Sequence, residues 1–122
     1  MCWFGNLASK IATEDIQVYK IFFIKNDIIL SPIFSFIWEK GITYETSINT
    51  SRIYNSITNG FHSLRDYPVL IDNDWYTKSG HNILLVQNQD KVLKVIIPKG
   101  STYYENVHGE IVSNKLKIAW QQ

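Results

Sequence analysis

Lys91-Val-Leu-Lys-Val-Ile-Ile-Pro-Lys-Gly-Ser-Thr-Tyr-Tyr104 is the stretch from which the rest of the chain is read. Val92, Val95, Ile96 and Ile97 suit a pleated, half-buried surface. Pro98 cannot donate to a strand ladder, and Gly100 supplies the backbone freedom of a tight turn. The segment therefore reads as a strand that stops at Pro98 and gives way to a polar, aromatic loop bearing Tyr103 and Tyr104.

Upstream, Ile83-Leu-Leu-Val86 and the turn-like Gln87-Asn-Gln-Asp90 lead into that strand, a pattern that predicts a hairpin. A further β-rich run over residues 16–24 is followed by Lys25-Asn-Asp27, a turn signal before Ile28-Ile-Leu30, so a second hairpin is expected there. Phe34, Phe36 and Trp38 alternate and would share one face of an extended segment. Glu39-Lys-Gly41 turns the chain; residues 42–46 continue as strand, residues 47–51 read as a loop and residues 52–57 as a short strand. Only residues 61–79 leave room for a helix, and Pro68 interrupts it, so one short helix or irregular turns are expected there. Downstream, residues 106–109 separate the aromatic loop from a last stretch, residues 111–120, that reads as one bent strand or two. The fold expected is α+β: a mostly antiparallel sheet with one short helical segment.

The 122 residues amount to one domain, 1–122, by length, and are 45% hydrophobic and 19% charged, within the globular range. Twelve Lys and Arg against eleven Asp and Glu leave a net charge of +1, which provides no field for a double-stranded DNA partner. Apolar runs stay short of the ~18 residues of a membrane span, and the start carries no basic leader before an apolar run. With a single cysteine no internal disulfide can form, and a reducing cytoplasm is the expected compartment. Oligomeric state stays open, because an edge strand can pair with its own copy.

Candidate chemistry is sparse. Removal of Met1 would expose Cys2, whose thiolate can act as a nucleophile with its own α-amine as base. Gly60-Phe-His-Ser63 sets an imidazole beside a hydroxyl, although neighbours on a strand point to opposite faces. His62, His81 and His108 show no metal-ligand spacing, so no metal site is expected. Glu105 and Glu110, flanking the loop after Pro98-Lys-Gly100, are the carboxylate candidates. Phe61, His62, Tyr103 and Tyr104 form the candidate binding face.

Val18-Tyr-Lys20, Phe36-Ile-Trp-Glu-Lys-Gly41 with Tyr44, Gly60-Phe-His-Ser63, Val95-Ile-Ile-Pro-Lys-Gly-Ser101 with Tyr103-Tyr104, and Ser113-Asn-Lys-Leu116 together resemble small uncharacterised proteins of bacteriophages and gut-bacterial prophages. The resemblance implies a small protein of the bacterial host cytoplasm, read here as a non-enzymatic module that binds a host protein or small ligand and needs no cofactor. Val18-Tyr-Lys20, Gly60-Phe-His-Ser63, Ile97-Pro-Lys-Gly100 and Glu110 also resemble, in order, the core motifs of ADP-ribosyltransferases. That likeness implies an NAD-binding site in which Lys20 anchors the dinucleotide, Ser63 occupies the middle motif and Glu110 stabilises the ribosyl cation. Lys20 departs from the Arg expected at the anchoring position, exchanging a two-pronged donor for a point charge. The Glu-x-Glu pair expected around Glu110 is absent.

Overall fold

The computed structural model describes residues 3–30, 37–53, 56–57, 59–85 and 90–119. In chain order the strands of the first half are β1 Trp3–Phe4, β2 Lys10–Ile11, β3 Ile16–Lys25, β4 Ile28–Leu30, β5 Ile37–Trp38, β6 Thr43–Glu45, β7 Thr50–Ser51 and β8 Ser56–Ile57. Those of the second half are β9 Phe61–Leu64, β10 Val69–Ile71, β11 Asp74–Tyr76, β12 Asn82–Leu85, β13 Asp90–Ile97, β14 Thr102–Glu105, β15 Glu110–Ser113 and β16 Lys115–Ile118.

The longest ladder joins β3 to β13 in antiparallel register from Ile16↔Ile97 to Phe23↔Asp90. Around it the main sheet runs β2-β14-β15-β9-β3-β13-β16-β6, with β4 added beside β3 and β5 beside β4. Laid flat, the five neighbours from β15 to β16 would hold those two strands about 19 Å apart. Yet Asn114 alone separates Ser113 from Lys115, which keeps their Cα atoms within about 7 Å. The sheet must therefore curl until its path returns to the strand it left.

The inside of this curl is the main core, where Val18, Phe22, Val95, Ile97, Ile111 and Leu116 are fully buried. Each such side chain contributes about 1.5–3 kcal/mol through burial. Trp38 closes it, edge-on to Phe22, Tyr44 and Phe61 at centroid separations of 5.4, 4.9 and 5.3 Å. Outside the curl, the small sheet β1-β8-β7 brings Trp3 and Ile57 against Val112, so β15 is buried on both faces. A third sheet, β10-β11-β12, forms a separate wing.

Several expectations need correction. No helix occurs among the described residues, so the fold is all-β, and neither the α+β class nor an ADP-ribosyltransferase-like core of that class holds. Residues 61–79 contain β9, β10 and β11 instead of a helical segment. The reason is local: Pro68 removes a helical donor, and Asp72, at φ +53°, turns β10 back onto β11. Tyr103 and Tyr104 lie within β14, paired to β15 and β2, not in a loop; the turn comes later, over residues 106–109. The segment before β13 pairs with β11, while β13 pairs with β3 and β16, so the anticipated hairpin between them is not formed among the described residues. By contrast, Asn26 and Asp27 have φ of +51° and +64° and join Lys25 to Ile28 in the two-residue turn that their sequence signals. The last stretch bends at Asn114 into two strands. Phe34 and Phe36 lie outside the described residues.

Candidate functional site

Strand register decides which candidate residues can meet. Ser63 pairs with Ile111 and Leu64 with Glu110, so Ser63 faces the core and Glu110 the opposite side. Tyr19 pairs with Leu64, which puts Lys20 on the Ser63 face. Lys20 and Ser63 are thus neighbours, and the sheet itself lies between them and Glu110. No single cleft contains all three, and Cys2 lies outside the described residues.

Lys20 occupies the apolar inner face between Val18 and Phe22, and its ammonium donates to the His62 carbonyl at 2.8 Å. No carboxylate is within ion-pairing distance among the described residues, and burial lowers its pKa from 10.5 to about 8. The His62 ring is held neutral, its pKa lowered to about 3 by burial and then by the Lys20 charge. Ser63 Oγ is buried and makes no hydrogen bond among the described residues.

The expected aromatic face is divided as well. Tyr103 is buried in the main core, and Phe61 packs against that core from its margin. Tyr104 points the other way and meets Trp3 edge-on at 6.2 Å. Glu105 is engaged by Arg65 in a two-pronged contact, Nη2 to Oε1 at 2.7 Å and Nε to Oε2 at 3.1 Å.

Two of the three histidines do come together. The His81 and His108 rings stack with centroids 4.4 Å apart and planes 15° apart. Ser79 Oγ lies 2.8 Å from His108 Nδ1, while His81 Nε2 lies 3.7 Å from Glu110 Oε1. Hydroxyl and carboxylate therefore contact different rings, so no Ser-His-acid relay passes through one imidazole. Among the described residues no His, Cys, Asp or Glu group is placed to hold a metal ion. The cluster instead pins the loop between β11 and β12 to the turn between β14 and β15. Trp75 Nε1 on Asp90 Oδ2 at 3.3 Å and the Tyr19–Tyr67 ring contact at 5.4 Å fix the same wing elsewhere.

What the wing presents is the least expected surface of the molecule. Among the described residues β10 pairs with β11 alone, leaving its other side as an edge. Val69, Leu70 and Ile71 are 39%, 53% and 52% exposed, and Tyr67 beside them is 58% exposed. Natural edge strands are commonly blunted by inward charges, bulges or a covering loop, whereas this one carries three apolar residues in succession. Asp72 follows the strand and Asp66 precedes it, both exposed. Ile71 and Asp74 flank a two-residue turn and so form its hydrogen-bonded closing pair; the next pair, Leu70–Trp75, leaves the Leu70 N–H and C=O pointing outward.

The strand falls in residues 61–79, the one stretch whose length leaves room for a helix. The signal was present in Pro68-Val-Leu-Ile-Asp-Asn73, an apolar triplet bracketed by a proline and a two-residue turn.

No protein-family model matches the chain, and neither a search of curated proteins nor one of solved structures finds a match. Among the described residues no helix is long and apolar enough to cross a membrane.

Proposed function

We propose that this chain is a non-enzymatic binding module that accepts an extended segment of a partner polypeptide on the free edge of β10. The observation that carries the reading is the exposed Val69-Leu70-Ile71 edge with the Leu70 amide and carbonyl directed outward. Strand addition to such an edge draws affinity from main-chain hydrogen bonds and selectivity from the flanking side chains. Asp66 and Asp72 stand at the two ends, so the preferred partner is an apolar stretch flanked by Lys or Arg. The resemblance to phage proteins supports a host polypeptide in the bacterial cytoplasm as that partner.

The test is a fluorescence-anisotropy titration with a labelled peptide of three valines between lysine pairs, run against wild type and Leu70→Pro. Proline removes the outward N–H without touching a bond to β11. Binding by wild type that falls at least about tenfold in Leu70→Pro, a loss of 1.4 kcal/mol, supports the reading. Equal binding by both proteins refutes strand addition, and absence of binding by a wild-type dimer assigns the edge to self-pairing.

A further inference from the structure

From a different face of the molecule, we infer that the groove beside the Asn114 bend is a binding site for an uncharged, hydroxyl-rich ring such as a neutral sugar. The groove has a volume of about 520 Å³ and is lined by Glu45, Thr46, Ser47, Thr102, Tyr104 and Asn114, among others. That volume falls within the range of small-molecule clefts.

Its walls are fixed by the closure of the sheet. Asn114 N donates to Thr102 O at 3.0 Å, Thr102 N donates to Asn114 Oδ1 at 2.9 Å, and Thr46 N donates to Asn114 O at 2.9 Å. One residue thereby ties the start of β14 to the segment after β6. Rigid walls matter because a site that is already formed does not have to be ordered when the ligand arrives.

The polar groups left over determine what the groove can hold. The Asn114 amide oxygen is occupied by Thr102, while its Nδ2 carries two protons with no acceptor among the described residues. Asn59 Nδ2 donates to Ser47 O at 2.7 Å and lies 3.4 Å from both the Thr46 and the Ser47 hydroxyl oxygens. A donor on that side turns the hydroxyl protons outward. The groove therefore offers amide and hydroxyl donors, the Glu45 carboxylate as an acceptor, and the Tyr104 ring as an apolar surface, held by its edge contact with Trp3. A pyranose matches this set, with hydroxyls around its rim and C–H groups on its face. Phosphorylated and carboxylated ligands fit less well, because Glu45 repels them and none of the described residues lining the groove is a cation.

The experiment is an amide-resolved NMR titration of the full chain with glucose, galactose, mannose and N-acetylglucosamine, with glucose 6-phosphate as the anionic comparison. The expected result is saturable shifts of the Asn114 side-chain amide and the Thr46 and Ser47 amides by at least one neutral sugar. A dissociation constant of about 1–10 mM is expected for so open a site. Ser47→Ala and Tyr104→Leu, each with otherwise unchanged spectra, should weaken binding at least about fivefold. The inference is overturned if no neutral sugar gives saturable shifts, if the shifts persist undiminished in both variants, or if glucose 6-phosphate binds as well as glucose.

Discussion

Lys20 and His62 sit on adjoining strands, and the ammonium of the first donates to the backbone carbonyl of the second at 2.8 Å from within the apolar core. A cation in that position, with no carboxylate beside it among the described residues, makes the fold sensitive to pH in two separate windows.

The first window is alkaline. The folded pKa of Lys20, about 8, lies below the unfolded value of 10.5, so between those values the unfolded chain binds more protons. Stability from this residue therefore rises as pH increases from 8 to 10.5. Lys20→Met should remove that rise and stabilise the protein at pH 7 by on the order of 2 kcal/mol, the relief of burying the charge being partly offset by the lost bond to the His62 carbonyl. Denaturant unfolding at pH 7 and pH 10 measures both effects.

The second window is acidic. His62 titrates in the fold at about 3 against 6.5 unfolded, so stability is lost as pH falls from 6.5 towards 3. His62→Gln should flatten that limb of the stability curve. Because the Lys20 charge is one cause of the depression, Lys20→Met should also raise the His62 pKa in an NMR titration.

The Arg65–Glu105 pair spans from the end of β9 to β14 across β15, with side chains 36% and 19% exposed. Such a half-exposed, two-pronged pair should give a coupling of roughly 1 kcal/mol in a double-mutant cycle with Arg65→Ala and Glu105→Ala. The coupling should shrink on moving from low to molar salt.

Gly60 precedes β9 with φ of +129°, and a Cβ built there would stand 2.5 Å from Val112 Cγ1. Gly60→Ala combines backbone strain with overpacking and should destabilise by about 2–3 kcal/mol, visible as a drop of several degrees in Tm.

How much of this was legible follows from the range of each signal. The β3–β4 hairpin could be read because Asn26-Asp27 encodes its turn locally, and β13 because its β-branched run ends at Pro98. The closure through Asn114 could not, since it depends on β15 pairing with β9 and β16 with β6, strands far away along the chain. Lys20 and Ser63 face the same core, whereas Glu110 lies on the other side of the sheet through a one-residue alternation that only the register reveals. Tyr103 and Tyr104 looked like a binding pair, and for the same reason they point to opposite faces. The His81–His108 stack joins the loop between β11 and β12 to the turn after β14, and nothing in residue spacing announces it.

The central claim is that β10 is an edge made for strand addition, and amide hydrogen exchange at Leu70 tests it most directly. On adding the lysine-flanked valine peptide, exchange of the Leu70 amide should slow at least about tenfold as its outward N–H gains an acceptor. The amides of Val69 and Ile71, already directed at β11, should change little. If the peptide binds and Leu70 exchanges as fast as before, the partner does not add to this edge.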